Sequence, residues 1–99
     1  MESYFLLIRG RFPEKFSEIT YLMSNANQLC YGNRQNVDNL EECKFAGKKL
    51  GYEFKDKRKK VGLPGGCYYY IDNNIIHFNT HPTGKSSPDA KQICKMKGK

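Results

Sequence analysis

Four cysteines in a chain of 99 residues are the feature that most limits what this sequence can fold into. They are Cys30, Cys43, Cys67 and Cys94, and 12, 23 and 26 residues separate them. An even number of cysteines in a short chain is typical of a disulfide framework, for which four cysteines allow three pairings. Free thiols and a metal site are the competing interpretations. Two disulfides are favoured because a chain of this size buries little apolar surface to stabilise itself.

A metal site is disfavoured by the spacing of its potential ligands. Structural zinc sites use pairs of cysteines two to four residues apart, and here no two cysteines are that close. His77 and His81 have an H-x3-H spacing. On a strand, however, that spacing would separate them by roughly 13 Å. The sequence therefore predicts neither a metal nor a cofactor.

The disulfides also predict a location. Disulfides persist in oxidising compartments, so we expect an extracytosolic protein that is secreted, lies in an organelle lumen or belongs to a virion. The apolar run from Tyr4 to Ile8 has five residues, whereas a membrane-spanning helix needs about 20. No transmembrane segment and no secretory signal are predicted within the numbered residues. An export signal would have been removed or would lie outside them.

The order of the patterns predicts one α+β domain over residues 1–99, in which one helix packs on an antiparallel sheet with a C-terminal β-hairpin. Strands are predicted at 4–8 and 17–23, within an N-terminal part at 1–27. A polar connection that carries Cys30 is predicted at 24–37, and a cysteine-rich module covers 28–95. Residues 96–99 form a basic tail.

A helix is predicted over residues 39–50. Asp38 has the side chain of a good N-cap, and Glu41 follows it three residues later. Gly51 suits the position after the last turn. The apolar stripe, which we expect to face the sheet, consists of Leu40, Cys43, Ala46, Gly47 and Leu50.

A β-hairpin is predicted from residues 67–71 and 75–80 around a two-residue turn at Asn73-Asn74. This turn would pair Cys67 with Thr80, Tyr69 with Phe78, and Ile71 with Ile76 on an apolar face. The opposite face would carry Tyr68, Tyr70, His77 and Asn79, which form a candidate binding face where rings stack on sugars. The alternative is that another segment covers this face. Because Cys43 and Cys67 both lie on apolar faces, we predict the pairs Cys43–Cys67 and Cys30–Cys94.

The positive charge is concentrated in one stretch, since residues 44–60 carry eight basic and two acidic side chains. Residues 55–66 are predicted to be a charged loop, whose basic patch consists of Lys55, Lys57, Arg58, Lys59 and Lys60. Such a field attracts anionic surfaces, including acidic polysaccharides. The alternative is a lysine-rich surface that only keeps the protein soluble. Nucleic acid is expected to bind only weakly and non-specifically, because no aromatic residue lies between positions 55 and 66.

Four short motifs stand out along the chain: Leu40-Glu41-Glu42-Cys43, Pro64-Gly65-Gly66-Cys67-Tyr68, Phe78-Asn79 and Ile93-Cys94. Together they resemble a small cysteine-rich module of secreted or organellar proteins from algae and other single-celled eukaryotes. The resemblance covers residues 28–95, and the L-E-E-C helix followed by a cysteine-bearing hairpin is more distantly similar to PAN/apple adhesion modules. The closely spaced extra cysteines of those modules are missing here. The resemblance implies an extracytosolic disulfide module and no particular activity.

No catalytic constellation stands out in the sequence. Nucleophilic catalysis needs a serine or cysteine beside a histidine, but these cysteines are expected to be structural. The adjacent pair Glu41-Glu42 is explained by its place in the first turn of the helix. We therefore expect a non-catalytic binding or structural module. The leading prediction is a small subunit completed by a protein partner, and the alternative is a carbohydrate- or anion-binding adhesion module.

Overall fold

The computed structural model describes Phe16 and residues 18–97. The strands form one six-stranded sheet in the order β1-β6-β4-β5-β3, with β2 also paired to β6. The predicted class is confirmed: the described residues form a small α+β domain with one helix on a sheet, a hairpin and two disulfides. The elements are β1 (Ile19–Met23), β2 (Gln35–Asn36), α1 (Leu40–Leu50), β3 (Glu53–Arg58), β4 (Pro64–Tyr70), β5 (Ile75–Gly84) and β6 (Ala90–Lys97).

The sheet is mixed, whereas the sequence predicted an antiparallel one. Strand β3 pairs in parallel with β5, and the other pairs are antiparallel. The physical reason is the path of the chain, which reverses once at residues 59–63 and again at 71–74. After two reversals, β5 runs in the same direction as β3. Among the described strands, β3 lies at an edge of the sheet and pairs with β5.

The N-terminal predictions have two outcomes. The strand predicted at 17–23 is confirmed as β1, whose residues Ile19, Tyr21 and Met23 pack in or against the core. The strand predicted at 4–8 lies outside the described residues. None of the helices in the described part of the chain has the length and apolar character needed to span a bilayer.

The core lies between α1 and one face of the sheet. Cys43 and Ala46 on the helix and Ile76 and Ile93 on the sheet are fully buried. A Cβ at Gly47 would lie 3.2 Å from Ile76 Cγ1, so this glycine lets the helix approach β5 closely. The predicted apolar stripe of the helix thus faces the sheet, as expected.

The start of the helix is one residue later than predicted. Asn39 is the N-cap, and its side chain accepts a hydrogen bond from the Glu42 backbone N–H at 2.9 Å. Val37 is still tied to the sheet, since its N–H donates to the Ile93 carbonyl and its carbonyl accepts from Cys67 N–H. Asp38 therefore lies in the link between the sheet and the helix, and Asn39 caps the helix. At the other end, Gly51 has a φ of 91°, as its predicted position requires.

The hairpin has the predicted faces but a different register. Tyr69 pairs with Ile76 and Cys67 pairs with Phe78, so the connection at residues 71–74 has four residues instead of two. Because two and four differ by an even number, every side chain stays on its predicted face. The predicted pairs Cys67–Thr80, Tyr69–Phe78 and Ile71–Ile76 are wrong by two positions.

Both predicted disulfides are present. Cys43–Cys67 joins α1 to β4 inside the core, and its Cα atoms are 5.3 Å apart. Cys30–Cys94 joins the connection before β2 to β6, with Cα atoms 5.7 Å apart. Two disulfides fit an oxidising environment.

Candidate functional site

The predicted binding face of Tyr68, Tyr70, His77 and Asn79 is mostly closed to solvent. Tyr68 is fully buried, His77 is 1% exposed and Asn79 is 2% exposed, while Tyr70 is half-buried. The prediction that these four side chains form an open binding face is therefore wrong. The alternative, a covered face, describes three of the four.

His77 connects the buried face to the edge strand. Its Nδ1–H donates to Asp56 Oδ1 at 2.9 Å, because an ionised carboxylate can only accept. Arg58 Nε also donates to Asp56 Oδ1, at 3.0 Å. The His77 hydrogen bond, assisted by Arg58, lowers the pKa of the Asp56 carboxyl below its usual value. The stacked ring of Tyr68, 5.4 Å away between centroids, holds the imidazole in place.

The hydroxyl of Tyr68 has no hydrogen-bond partner among the described residues. Burial raises the pKa of Tyr68 to about 12. A buried hydroxyl without a partner costs free energy. The Tyr68 ring therefore packs against its neighbours, and its hydroxyl makes no hydrogen bond with the described residues.

Asn79 holds the connection between β3 and β4. Its Nδ2 donates to the carbonyls of Lys60, Leu63 and Pro64 at 2.7, 3.1 and 2.9 Å. Its Oδ1 accepts from the backbone N–H groups of Lys60 and His81 at 2.9 and 3.1 Å. One buried amide thus fixes the path of residues 60–64 over the end of β5.

The predicted charged loop at 55–66 is for the most part regular structure. Residues 55–58 belong to β3, residues 64–66 belong to β4, and only 59–63 connect them. Charged side chains suit β3 because an edge strand exposes much of its surface, and lysines there discourage pairing with other chains. A register shift between Phe54 and Asp56 turns Phe54 towards the helix side and Asp56 towards His77. The predicted loop over 55–66 is therefore wrong in extent.

The residues of the predicted basic patch differ in exposure. Lys55, Lys57, Lys59 and Lys60 are exposed, whereas Arg58 is half-buried against Asp56. The helix extends the exposed set, because Lys44 Nζ lies 5.6 Å from the centre of the Phe54 ring on β3. Lys48 lies one turn further along the same helix face. We call the resulting exposed surface the lysine ridge: Lys44, Lys48, Lys55, Lys57, Lys59 and Lys60.

A buried carboxylate on the helix was not anticipated from the sequence. Glu42 is 3% exposed, and it accepts from the Tyr21 hydroxyl at 2.8 Å and from Lys95 Nζ at 3.0 Å. It links α1 to β1 and β6. Burial, together with this hydrogen bond to Glu42, raises the pKa of Tyr21. At the level of sequence, Glu41-Glu42 are explained by their place in the first turn of the helix, so the buried contacts of Glu42 were not predicted.

The two histidines have separate structural roles. His81 Nδ1 accepts from the N–H groups of Thr83 and Gly84 at 3.2 and 3.0 Å, in a bend of β5. His77 is committed to Asp56. Within residues 18–97 and Phe16, no group of three or more His, Cys, Asp or Glu side chains is arranged to hold a metal ion.

Comparisons of the chain with protein families, with curated proteins and with solved structures return no match.

Proposed function

We propose that this chain is a non-catalytic, extracytosolic binding module whose lysine ridge recognises an anionic polymer. The observation that carries the proposal is the meeting of two exposed lysine rows, one on α1 and one on β3, at the contact between Lys44 and Phe54. Six ammonium groups on adjoining elements create a positive field over one surface. The exposed acidic residues on the same two elements are Glu41 in the first turn of α1 and Glu53 at the start of β3.

The rigidity of the ridge supports a binding role. Strand β3 is held from behind by the His77–Asp56 hydrogen bond, and the following loop is held by Asn79. Thr80 Oγ1 also donates to the Arg58 carbonyl at 3.1 Å. A surface whose backbone is already ordered loses less conformational freedom on binding. The predicted binding-face residues thus support the surface that we propose to bind the ligand.

An acidic polysaccharide is the ligand class that we favour. The two disulfides fit an oxidising environment, where extracellular polysaccharides are found. The ridge consists of lysines, which act as point charges and lack the planar fork with which arginine reads phosphates and bases. Phe54 is half-buried beneath Lys44, so it offers little ring surface for stacking nucleotide bases. Nucleic acid is therefore expected to bind only through non-specific charge.

The non-catalytic part of the proposal is supported by how the reactive side chains are used. The four cysteines form disulfides. His77 is buried with its Nδ1 on Asp56, and the Tyr68 ring is stacked on it. The subunit interpretation depended on residues 4–8, which lie outside the described residues, so it stays a second proposal. Size-exclusion chromatography of the purified chain would support it if the chain behaves as a stable oligomer or needs a partner to remain folded.

The ridge is tested by measuring binding of the full chain to heparin, to alginate and to a single-stranded oligonucleotide over a range of salt concentrations. The ridge variant is Lys44→Gln, Lys55→Gln and Lys57→Gln combined. The matched control, Lys49→Gln, Lys85→Gln and Lys91→Gln, removes the same number of charges elsewhere. We expect the ridge variant alone to lose at least about tenfold in polysaccharide affinity, with a salt slope smaller by about two to three.

Three results would contradict the proposal. If both triple variants weaken binding equally, only net charge matters and the ridge is not a site. If neither polysaccharide binds at about 0.15 M salt, where surface charges are screened beyond about 8 Å, the surface is merely a solvated one. Tight oligonucleotide binding under the same conditions would make nucleic acid the ligand instead.

A further inference from the structure

A polar cleft opens between the start of α1 and the second half of β5. Its volume is about 290 Å³. The backbone of Gly65 and Gly66 lies along it, and the side chains used in this argument are Asn36, Asp38, Phe78, Thr80, His81 and Pro82. A second cleft of about 480 Å³ shares Asn36 and Asp38 with the first, so the two adjoin at these residues.

Asp38 is available to a ligand because it has no structural task in the described part of the chain. The helix is capped by Asn39, whose side chain takes the hydrogen bond that the sequence assigned to Asp38. Asp38 is exposed and makes no hydrogen bond or ion pair with the described residues. Asn36, which is half-buried, likewise has an amide without a partner there, and both side chains border both clefts.

The cleft mixes hydrogen-bond donors, acceptors and apolar surface. Asp38 accepts only, whereas the Asn36 amide both donates and accepts. His81 Nδ1 is occupied as an acceptor by two backbone N–H groups, so the neutral ring donates through Nε2. Pro82, which is exposed, adds apolar surface beside these groups, and the buried Phe78 lies behind it at the cleft wall. This combination suits a ligand with several hydroxyl groups and an apolar ring face.

The charges argue against an anionic ligand in the cleft. Asp38 lines the cleft with a negative charge that has no ion-pair partner among the described residues. Lys95, which borders the adjoining cleft, is already paired with Glu42 at 3.0 Å. We infer that this cleft binds a neutral saccharide, with vicinal hydroxyls on Asp38 and Asn36 and the apolar face of its ring on the exposed side chain of Pro82. The inference is independent of the proposed function of the lysine ridge.

The test uses the full, disulfide-bonded chain and the methyl glycosides of glucose, galactose, mannose and N-acetylglucosamine at millimolar concentration. Backbone amide shifts in nuclear magnetic resonance spectra identify the residues that respond. We expect at least one glycoside to shift the amides of Asn36, Asp38, Gly66 and His81. The Asp38→Ala variant should bind at least about tenfold more weakly, because it loses a charge-assisted hydrogen bond.

Asp72→Ala is the matched control, since Asp72 is exposed in the loop at the opposite end of β5. It should bind like the unmodified chain, and so should the ridge variant. The inference is overturned if no glycoside shifts these amides, or if Asp38→Ala binds as well as the unmodified chain. It is also overturned if methylammonium, but no glycoside, binds in a manner that depends on Asp38, because the cleft is then a cation site.

Discussion

Asn79 shows how one buried side chain can determine the path of a charged segment. The Nδ2 group has two hydrogens and three carbonyl acceptors, so one hydrogen is shared. Together with the two bonds accepted by Oδ1, the amide supplies hydrogen-bond partners to the connection between β3 and β4, which lies outside the strands. The order of this loop thus depends on a residue of β5 and hardly on the loop's own sequence.

Substituting Asn79→Ala should lower the free energy of unfolding by about 2–4 kcal/mol, because backbone groups of the loop are left without partners. Urea unfolding measures the change. Asn73→Ala, in the exposed turn after β4, is the control and should change stability by less than about 0.5 kcal/mol. Equal stability of the two variants would show that water replaces the Asn79 bonds.

For Tyr68 we expect the opposite effect on stability from that of Asn79→Ala. Its hydroxyl is buried without a partner in the described structure, so Tyr68→Phe should leave stability unchanged or raise it by about 1 kcal/mol. Thermal and urea unfolding at neutral pH measure this. A loss of more than about 1 kcal/mol would show that the hydroxyl has a partner, such as a bound water.

The pH dependence of the same variant is a second measurement. The Tyr68 pKa is about 12 in the folded protein against an ordinary value of 10.0. The ionisation of Tyr68 therefore leaves the free energy of unfolding unchanged below pH 10. As the pH rises towards 12, that free energy falls, because the unfolded chain releases the proton first. Tyr68→Phe should lose less stability over this range than the unmodified chain. The pKa of Tyr21 is also raised and affects both proteins alike.

At the scale of single elements, the start of α1 offers two residues of types that favour the N-cap position, Asp38 and Asn39, and only one of them caps the helix. Asn39 has the capping geometry, with φ −121° and ψ 131°, and accepts from Glu42 N–H. Asn39→Ala should therefore cost about 1 kcal/mol, whereas Asp38→Ala should be nearly neutral. Urea unfolding of both variants tests the assignment. If Asp38→Ala is the more destabilising, the cap is Asp38 and the cleft loses its free carboxylate.

The sequence was most informative where a pattern repeats along one element. The stripe of α1 and the two faces of the hairpin follow from periodicity, and an even error in the turn length leaves the faces intact. Strand β3 could not be recognised from the sequence because its residues are mostly charged. Such residues suit the edge of a sheet, but which strand lies at the edge is decided only when the whole sheet assembles. The covering of His77 and Asn79 likewise depends on contacts between distant segments.

Gly66 in β4 shows a constraint that sequence patterns do not reveal. Gly66 has a φ of 72°, and a Cβ there would lie 2.6 Å from the Val37 carbonyl oxygen. Gly66→Ala should therefore cost at least about 2 kcal/mol. Gly62→Ala, where nothing lies within 4 Å, is the control and should be nearly neutral. Comparable stability of the two variants in urea unfolding would mean that β4 can move away from Val37.

At the scale of the whole molecule, the two disulfides join different parts of the fold. Cys43–Cys67 closes a sequence separation of 24 residues, and Cys30–Cys94 closes one of 64. In the chain-entropy account these bridges contribute about 3 and about 4 kcal/mol. Domains of this kind have total stabilities of about 5–15 kcal/mol. The fold should thus depend on both bridges.

The bridges should nevertheless break in a defined order when the native protein is treated with dithiothreitol. Cys43 and Cys67 are both fully buried in the core, whereas Cys30 is partly exposed. A reductant must reach a sulfur to attack it, so Cys30–Cys94 should be reduced first and Cys43–Cys67 only after wider unfolding. Brief reduction, alkylation and peptide mass mapping should yield a species labelled at Cys30 and Cys94. Reduction of all four cysteines at once, or of Cys43–Cys67 first, would contradict this order and would mean that the core opens as readily as the loop.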